Sequence, residues 1–518
     1  MRQLRNCAET LRIVFLAATL LLLAPVLPTS AYQAPQGTTA IVGATVIDGN
    51  GGPPLADATI LVEGTRIAAI GSRAEVQVPP GAQVIDGTGK YVTPGFIDTN
   101  VHMSLSFGRR WSETNARYWD RNADLNLQGA QLHLKHGVTT IRDSYGALLP
   151  GMQVRDAIAR GEVVGPRMYV AGNIVGWGGP FSETFSGDRE SELTLFEEQI
   201  NDSITLGSGE ELMHMTPEEL RVAMNAYLDL GPDFIKYGGT HHFNYPTTIG
   251  FSPRAQRVIV EETQKRGLVA ETHSTTLEGL RLSILAGIDL IQHPEVTAMR
   301  EITDELVEMI VERDIICSLL PNKYTGEVWK LHLEERERAA ERWAKLEKER
   351  HTPLTTAEVR RKIQETGIPD PRSVTIGNLE MRQMNGRKLI EAGCIVSVGP
   401  DNLLFGSGGV APEFTREERP AAEHLKPGIG TIIAIEGLVE LGMTPSEAIV
   451  AATKHGAMAC KALDEFGTLE VGKLADILVL GGDPLADISN IRQLEVVMKD
   501  GDIIDIESLP TNPVTGEW

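Results

Sequence analysis

The chain has 518 residues, 42% of them hydrophobic and 23% charged, with a formal net charge of −22; this is globular usage and excludes a disordered or collagen-like polymer. No Lys/Arg block offsets the acidic balance, so a phosphate backbone is repelled and nucleic acid is excluded as a partner. Arg2, Arg5 and Arg12 precede an apolar run from Ile13 to Leu27 and then Pro28-Thr29-Ser30-Ala31, which predicts a secretory signal peptide over 1–31 and export to the periplasm or the cell exterior. The run is 15 residues long, short of the about 20 that span a bilayer, so no stable membrane anchor is expected. Beyond the leader only Cys317, Cys394 and Cys460 remain, odd in number and set in apolar sequence, which predicts buried small hydrophobes and no disulfide framework.

From Thr38 to Pro94 short β-type runs alternate with turns such as Asn50-Gly51-Gly52-Pro53-Pro54, and the tail repeats that style in Asp476 to Leu480 and Leu494 to Met498. Each end is too small to close a core alone, so 38–93 and 464–518 are predicted to form one discontinuous β-sandwich of antiparallel strands. Between them a unit of helix, glycine and apolar strand recurs at Gly137, Gly267, Gly287 and Gly393; glycine past a helix end suits a left-handed cap, and continuous β-branched runs suit strands buried on both faces. Eight candidate strands follow, near Gly95 to Asp98, Thr139 to Asp143, Arg167 to Ala171, Phe234 to Gly238, Leu268 to His273, Leu290 to His293, Ile315 to Leu319 and Ile395 to Val398. Eight strands alternating with helices predict an α/β fold, a (β/α)8 TIM-type barrel over 94–463. A charged helical insertion over about 321–380 interrupts it, with 12 charged residues in Leu331 to Arg350, and reads as a solvated face. Thr444-Pro445-Ser446-Glu447 predicts a capping box at a late helix.

His102, Lys236, His273, His293 and Asp401 all fall at C-terminal ends of predicted strands, the rim where such barrels keep their active sites. Singly, each has an ordinary reading as a loop hydrogen-bonding or capping residue. Together they converge on one cavity and offer nitrogen and carboxylate donors to a cation. An ammonium cannot ligate a metal, but burial beside cations frees the amine of Lys236, which can then capture CO2 as an anionic carbamate.

These residues resemble the amidohydrolase superfamily, in particular its imidazolonepropionase-like and prolidase-like members. The resemblance spans the mature chain and rests on Pro94-Gly95-Phe96-Ile97-Asp98-Thr99-Asn100-Val101-His102, Gly137-Val138-Thr139-Thr140-Ile141-Arg142-Asp143, Phe234-Ile235-Lys236, Val269 to His273, Ala286 to His293, Gly399-Pro400-Asp401 and Gly467 to Asp476. It implies a metal-dependent barrel with a β-sandwich from both termini, hydrolysing amide or related bonds of a small molecule or short peptide. By position it implies that His102 binds a first divalent metal, zinc in the first instance, that Lys236 carries the bridging carbamate, that His273 and His293 bind a second metal, and that Asp401 binds the first and accepts the proton of the attacking water. A metal lowers the pKa of bound water from 15.7 to about 7, which fits that assignment. One position departs from the pattern: Asn100 stands where the family's His-x-His motif begins with histidine, and an amide oxygen is the weaker ligand, so one loose metal, a single metal on Lys236, His273 and His293, or lost hydrolysis are all open. Gly399-Pro400-Asp401 replaces the more usual Gly-Thr-Asp and stiffens that turn. Tyr237, His241 and His242 are candidate substrate-binding donors beside the lysine, Trp177 and Phe181 read as core or as an apolar wall, and His455 as structural. A lactonase or phosphotriesterase, and a non-catalytic binding protein on a degenerate barrel, are the competing functions. Barrels of this family often associate, so a homo-oligomer is expected on the resemblance alone.

Overall fold

The structure is a computed structural model that describes residues 37–105, 117–185, 190–242, 247–331, 374–403 and 428–509, with isolated positions up to 341. The predicted leader over 1–31 and most of the predicted insertion over about 321–380 lie outside the described residues. Among the described residues no helix is long and apolar enough to cross a membrane.

Both ends of the chain build one eight-stranded sheet. Strands β1 (Thr38–Val46), β2 (Leu55–Glu63), β3 (Arg66–Ser72), β4 (Gln83–Asp86) and β5 (Tyr91–Pro94) come from the front, and β15 (Ile477–Leu480), β16 (Leu494–Lys499) and β17 (Asp502–Ile504) from the tail. The two halves join where β15 runs antiparallel to β5, with Leu478 opposite Thr93. The expectation of purely antiparallel pairing is corrected here: β1 pairs parallel with both β4 and β5, because the chain crosses back after β3 instead of continuing the hairpins. Alternate residues point into a core of their own, with Ile41, Ile60, Val62, Val92, Ile477, Val479 and Met498 fully buried; each such side chain contributes about 1.5–3 kcal/mol of burial.

The barrel strands are β6 (Phe96–His102), β7 (Val138–Asp143), β8 (Arg167–Val170), β9 (Phe234–Gly238), β10 (Val269–His273), β11 (Leu290–Gln292), β12 (Ile316–Leu319) and β13 (Ile395–Val398), joined by the two-residue β14 (Asn402–Leu403). They coincide with the eight predicted runs. Parallel pairing links β6 to β7 to β8 and β9 through β13 in sequence order. At one seam Asp233 N donates to Val170 O at 2.9 Å and Val175 N to Lys236 O at 2.9 Å. At the other, the Thr99 hydroxyl donates to Val398 O at 2.8 Å and lies 2.8 Å from Ser318 Oγ and 3.1 Å from Ser397 Oγ, so three strands share one small hydroxyl cluster. The chain is an α/β protein with a TIM-type barrel and an appended β-sandwich.

Helices cover the barrel as the helix, glycine, strand unit requires. Helix α1 (Asn122–Leu134) leads to β7, α2 (Leu148–Ala159) to β8, α3 (Leu195–Thr205) and α4 (Pro217–Leu228) to β9, α5 (Pro253–Lys265) to β10, α6 (Leu277–Ala286) to β11, α7 (Asp304–Glu312) to β12 and α8 (Val374–Glu391) to β13. Gly287 caps α6 at φ 88°, the left-handed geometry in which glycine has no Cβ penalty. At the end come α9 (Gly430–Glu440), α10 (Pro445–Ala452) and α11 (Lys454–Ala459); α10 opens with the predicted capping box, Thr444 Oγ1 accepting from Glu447 N and Glu447 returning to Thr444 N at 2.7 Å.

The barrel interior beneath the rim is polar. Arg142 on β7 donates to Glu271 on β10 at 2.5 Å, stacks over the Phe234 ring at 3.8 Å and also donates to Ala459 O. Gln292 on β11 donates to the other Glu271 oxygen and to Thr99 O, each at 3.0 Å. Arg142 and Glu271 are 1% and 0% exposed, so removing either charge leaves its partner without compensation. Glu271→Gln should therefore destabilise the fold by about 3–5 kcal/mol, read as a lowered denaturant midpoint at unchanged m-value.

Candidate metal centre

Strand parity and register bring the candidates to one level. On β6, Asn100 and His102 are two apart and share a face; on β9, Lys236 lies opposite Glu271 of β10, and His273 lies opposite Gln292 of β11. The last ladder pair, β14 with β6, sets Leu403 opposite His102, which returns Asp401 to the first strand. Gly399 is needed for that return: a Cβ there would lie 1.8 Å from Ser318 Oγ and 3.1 Å from Asn100 Cβ, so no larger residue fits between the converging strand ends. His293 and Asp401 both hold positive φ, 39° and 57°. For a histidine this backbone costs about 1–3 kcal/mol and occurs where surrounding contacts over-determine the geometry.

The result is two pairs and a lysine. His102 Nε2 is 2.8 Å from Asp401 Oδ1, and His273 Nδ1 is 3.1 Å from His293 Nε2. Asn100 links the lysine to the first pair, its Oδ1 accepting from Lys236 Nζ at 3.3 Å and its Nδ2 donating to Asp401 Oδ1 at 3.3 Å. Among the described residues no three His, Cys, Asp or Glu side chains converge closely enough to make a complete cage on their own; the lysine and the asparagine stand where further donors would be.

The electrostatics suit cation binding. Burial depresses the imidazolium form of His102, of His273 and of His293, the last to about 3, so all three rings are neutral and carry a lone pair at working pH. Burial likewise lowers Lys236, against the attraction of Glu271, Asp401 and Asp143. Asp401 goes the other way: burial would raise it, but the His102 hydrogen bond and the charges around it hold it well below the usual carboxylate range. Among the described residues His273 Nε2 and His293 Nδ1 are buried without a hydrogen-bond partner, while the Tyr145 backbone bonds the His102 ring. Neutral imidazoles beside an ionised carboxylate are donor types that suit a divalent cation.

The substrate-side expectations divide. His242 joins the site, 5.1 Å from the His273 ring and stacked on Phe185 at 4.9 Å. Trp177 meets the His273 ring edge-on at 4.9 Å, fixed by its Nε1 donating to Thr240 O at 3.2 Å and by Gly238, where a Cβ would collide with the indole. Phe181 belongs to the same buried aromatic cluster. His241 turns to its own loop, bonded to Thr248 Oγ1 at 2.8 Å. Tyr237 is a correction: it is fully buried and donates to Gln256 Oε1 of α5 at 3.0 Å. Next to Lys236 on a strand, it points to the opposite face. His455 is structural, its Nδ1 2.7 Å from Val396 O.

Several contributors were not predicted. Lys323, in the loop after β12, donates to the Asp401 carbonyl at 3.3 Å, and burial pushes it down to about 8. Asp98 sits below Asn100 and accepts from Asn100 N at 3.0 Å, Asn402 Nδ2 at 3.1 Å and Thr431 Oγ1 at 2.7 Å. His133 of α1 closes that network, with Nε2 3.1 Å from Asn402 Nδ2 and Nδ1 2.8 Å from Gly129 O.

A family model described as the amidohydrolase family matches residues 91–504, which spans most of the β-sandwich tail and the whole barrel. The chain belongs to the amidohydrolase family. It is a hydrolase acting on C–N bonds, in a family whose members generally depend on a divalent metal. A solved molinate hydrolase is 30% identical with a TM-score of 0.76, covering 93% of this chain and 97% of that one; phenylurea hydrolase B is 29% identical with a TM-score of 0.76, covering 93% and 100%. The ochratoxinase of Aspergillus niger is 23% identical over 473 residues, 89% of this chain and 84% of its own, and the imidazolonepropionase of Brevibacillus brevis is 23% identical over 445 residues, 82% and 84%.

The supporting network carries a pH signature. Burial lowers His133 from 6.5 to about 4 in the folded protein, so the unfolded chain binds the proton first. The stability that neutral His133 confers is complete above pH 6.5 and is lost as pH falls from 6.5 toward 4, by about 3 kcal/mol. Between pH 7 and 4.5 the wild type should lose more denaturation free energy than His133→Gln, which has nothing to titrate there.

Proposed function

We propose that the protein is an exported hydrolase that cleaves an amide- or urea-type C–N bond of a small, largely apolar molecule, using one tightly held divalent cation, zinc in the first instance. The observation that carries this reading is the approach of neutral His273 and His293, Nδ1 to Nε2 at 3.1 Å, in the site where His102 meets Asp401 at 2.8 Å and Lys236 meets Asn100 at 3.3 Å. Burial favours the uncharged amine of Lys236, the form whose nitrogen bonds to the carbon of CO2 and gives up a proton to solvent, becoming an anionic carbamate suited to hold the cation with His273 and His293. Asn100 already uses both ends of its amide, on Lys236 and on Asp401, and serves as a spacer in place of the first ligand.

When bound, the cation supplies the charge that acidifies water and polarises the carbonyl. Asp401, ionised and aimed by His102, takes the proton of the attacking water and delivers it to the leaving nitrogen. Lys323 holds the Asp401 carbonyl and fixes the strained turn that carries the carboxylate. Trp177, Phe185 and His242 make a dry wall beside His273, which strengthens every charge interaction inside and suits an aromatic substituent. The likeness to phenylurea hydrolase B supports a urea-type substrate and the likeness to ochratoxinase a bulky apolar one. Export is supported by the basic, apolar and small-residue order of residues 1–31, and the mature chain is expected to start near residue 32.

The test is metal content with turnover. Purified protein should hold about one equivalent of divalent cation, lose hydrolysis of phenylureas and N-aryl amides on chelation and regain it with zinc. Asp401→Asn should lower kcat by about 10²–10⁴, and Asn100→His should raise the metal stoichiometry. A wild-type protein that holds no cation, or whose turnover survives chelation, overturns the reading.

A further inference from the structure

Metal ligation leaves a group of unsatisfied atoms unexplained. On the two adjacent loops after β6 and β7, tied by Ser144 N donating to Val101 O at 2.9 Å, Ser104 Oγ, Ser144 Oγ and the Tyr145 hydroxyl are all buried without a hydrogen-bond partner among the described residues. Buried polar atoms are almost always paired, and a local cluster of orphans marks a place where a ligand or water completes the bonding. Tyr145 stands out among them. It is 1% exposed, its ring meets His102 edge-on at 6.1 Å and Trp177 edge-on at 6.1 Å, and Phe185 tilts against it at 5.1 Å. The ring is thus wedged between a residue of the metal centre and the aromatic wall, while its one polar atom is left over. A phenol that only filled space here would be replaced at a gain by phenylalanine, because an unpaired buried hydroxyl is destabilising. Phenolic O–H is protonated throughout the neutral range and is a strong donor.

Resting on the hydrolytic reading above, we propose that Tyr145 is a catalytic residue that donates its hydroxyl hydrogen to the substrate carbonyl oxygen and strengthens that bond as the carbon becomes tetrahedral and the oxygen gains negative charge. The proton stays on the phenol and no covalent bond to the protein forms; the contribution is a positioned dipole in a dry site. Unsatisfied polarity in the free enzyme is the cost of having that donor aimed before the substrate arrives.

Tyr145→Phe removes the oxygen and keeps the ring, so the wild-type holoenzyme and this variant are compared by three measurements. The first is the affinity of methylphosphonate, a tetrahedral oxyanion, by calorimetry; the second is melting temperature; the third is turnover of phenylurea. The proposal expects the methylphosphonate Kd to rise at least about fivefold and kcat to fall about 100-fold, with metal content unchanged and a melting temperature equal to or above the wild type. Equal phosphonate affinity in both proteins, or no binding by the wild type, overturns it. A variant that melts several degrees lower also overturns it, since the hydroxyl would then have a structural partner. Failure of the hydrolytic reading shows separately, as wild-type holoenzyme without turnover on any C–N substrate.

Discussion

One side-chain amide ties the lysine of the centre to its carboxylate. Asn100 reaches from Lys236 on β9 to Asp401 after β13. Its own place is set by Asp98 accepting Asn100 N and by the Thr99 hydroxyl closing the ring against Val398. Three successive residues of β6 therefore do three different jobs. Asp98 anchors outward to Asn402 and Thr431, Thr99 zips the seam, and Asn100 faces the cavity.

The charges beneath and around that amide work because water is excluded. Arg142 with Glu271 forms a buried floor, and Lys236 feels Glu271 and Asp143 from below and Asp401 from the side. In water such interactions at 4 Å are worth about 1 kcal/mol, and several-fold more at the effective dielectric near a protein interior. The same exclusion keeps the histidines neutral and leaves them lone pairs for a cation, while the His102 hydrogen bond and the charges around Asp401 keep that carboxylate ionised against it.

How much of this was legible in the sequence follows from the range of the contacts involved. The eight strands and the five rim residues could be read because each is local: an apolar run ending in a histidine, lysine or aspartate is visible in a few residues. The glycines before four of the strands, Gly137, Gly267, Gly287 and Gly393, were legible for the same reason. Tyr237 was misread because neighbours in sequence face opposite sides of a strand, and its true partner, Gln256, lies on α5. The parallel pairing of β4 and β5 with β1 depends on where a loop crosses, which composition does not encode. Asp98 and Asn402 are separated by 304 positions and Lys323 and Asp401 by 78, so their pairing exists only once the ring has closed. Tyr145 carried no signal at all, since what distinguishes it is the partner its hydroxyl lacks.

Some of the strain and unsatisfied polarity of this protein falls at the candidate site. His293 and Asp401 sit at positive φ, and His273 Nε2, His293 Nδ1, Ser104 Oγ, Ser144 Oγ and the Tyr145 hydroxyl are buried without a partner among the described residues. Each is destabilising by itself, by about 1–3 kcal/mol for strain or for a lost hydrogen bond. A fold carrying several of them needs a surplus elsewhere, and the apolar cores of the barrel and of the sandwich, with dozens of side chains fully buried, supply it. Burial that only stabilised the chain would not select for unpaired nitrogens at the strand ends. Those at the strand ends are where a scaffold's stability is drawn on to hold a ligand.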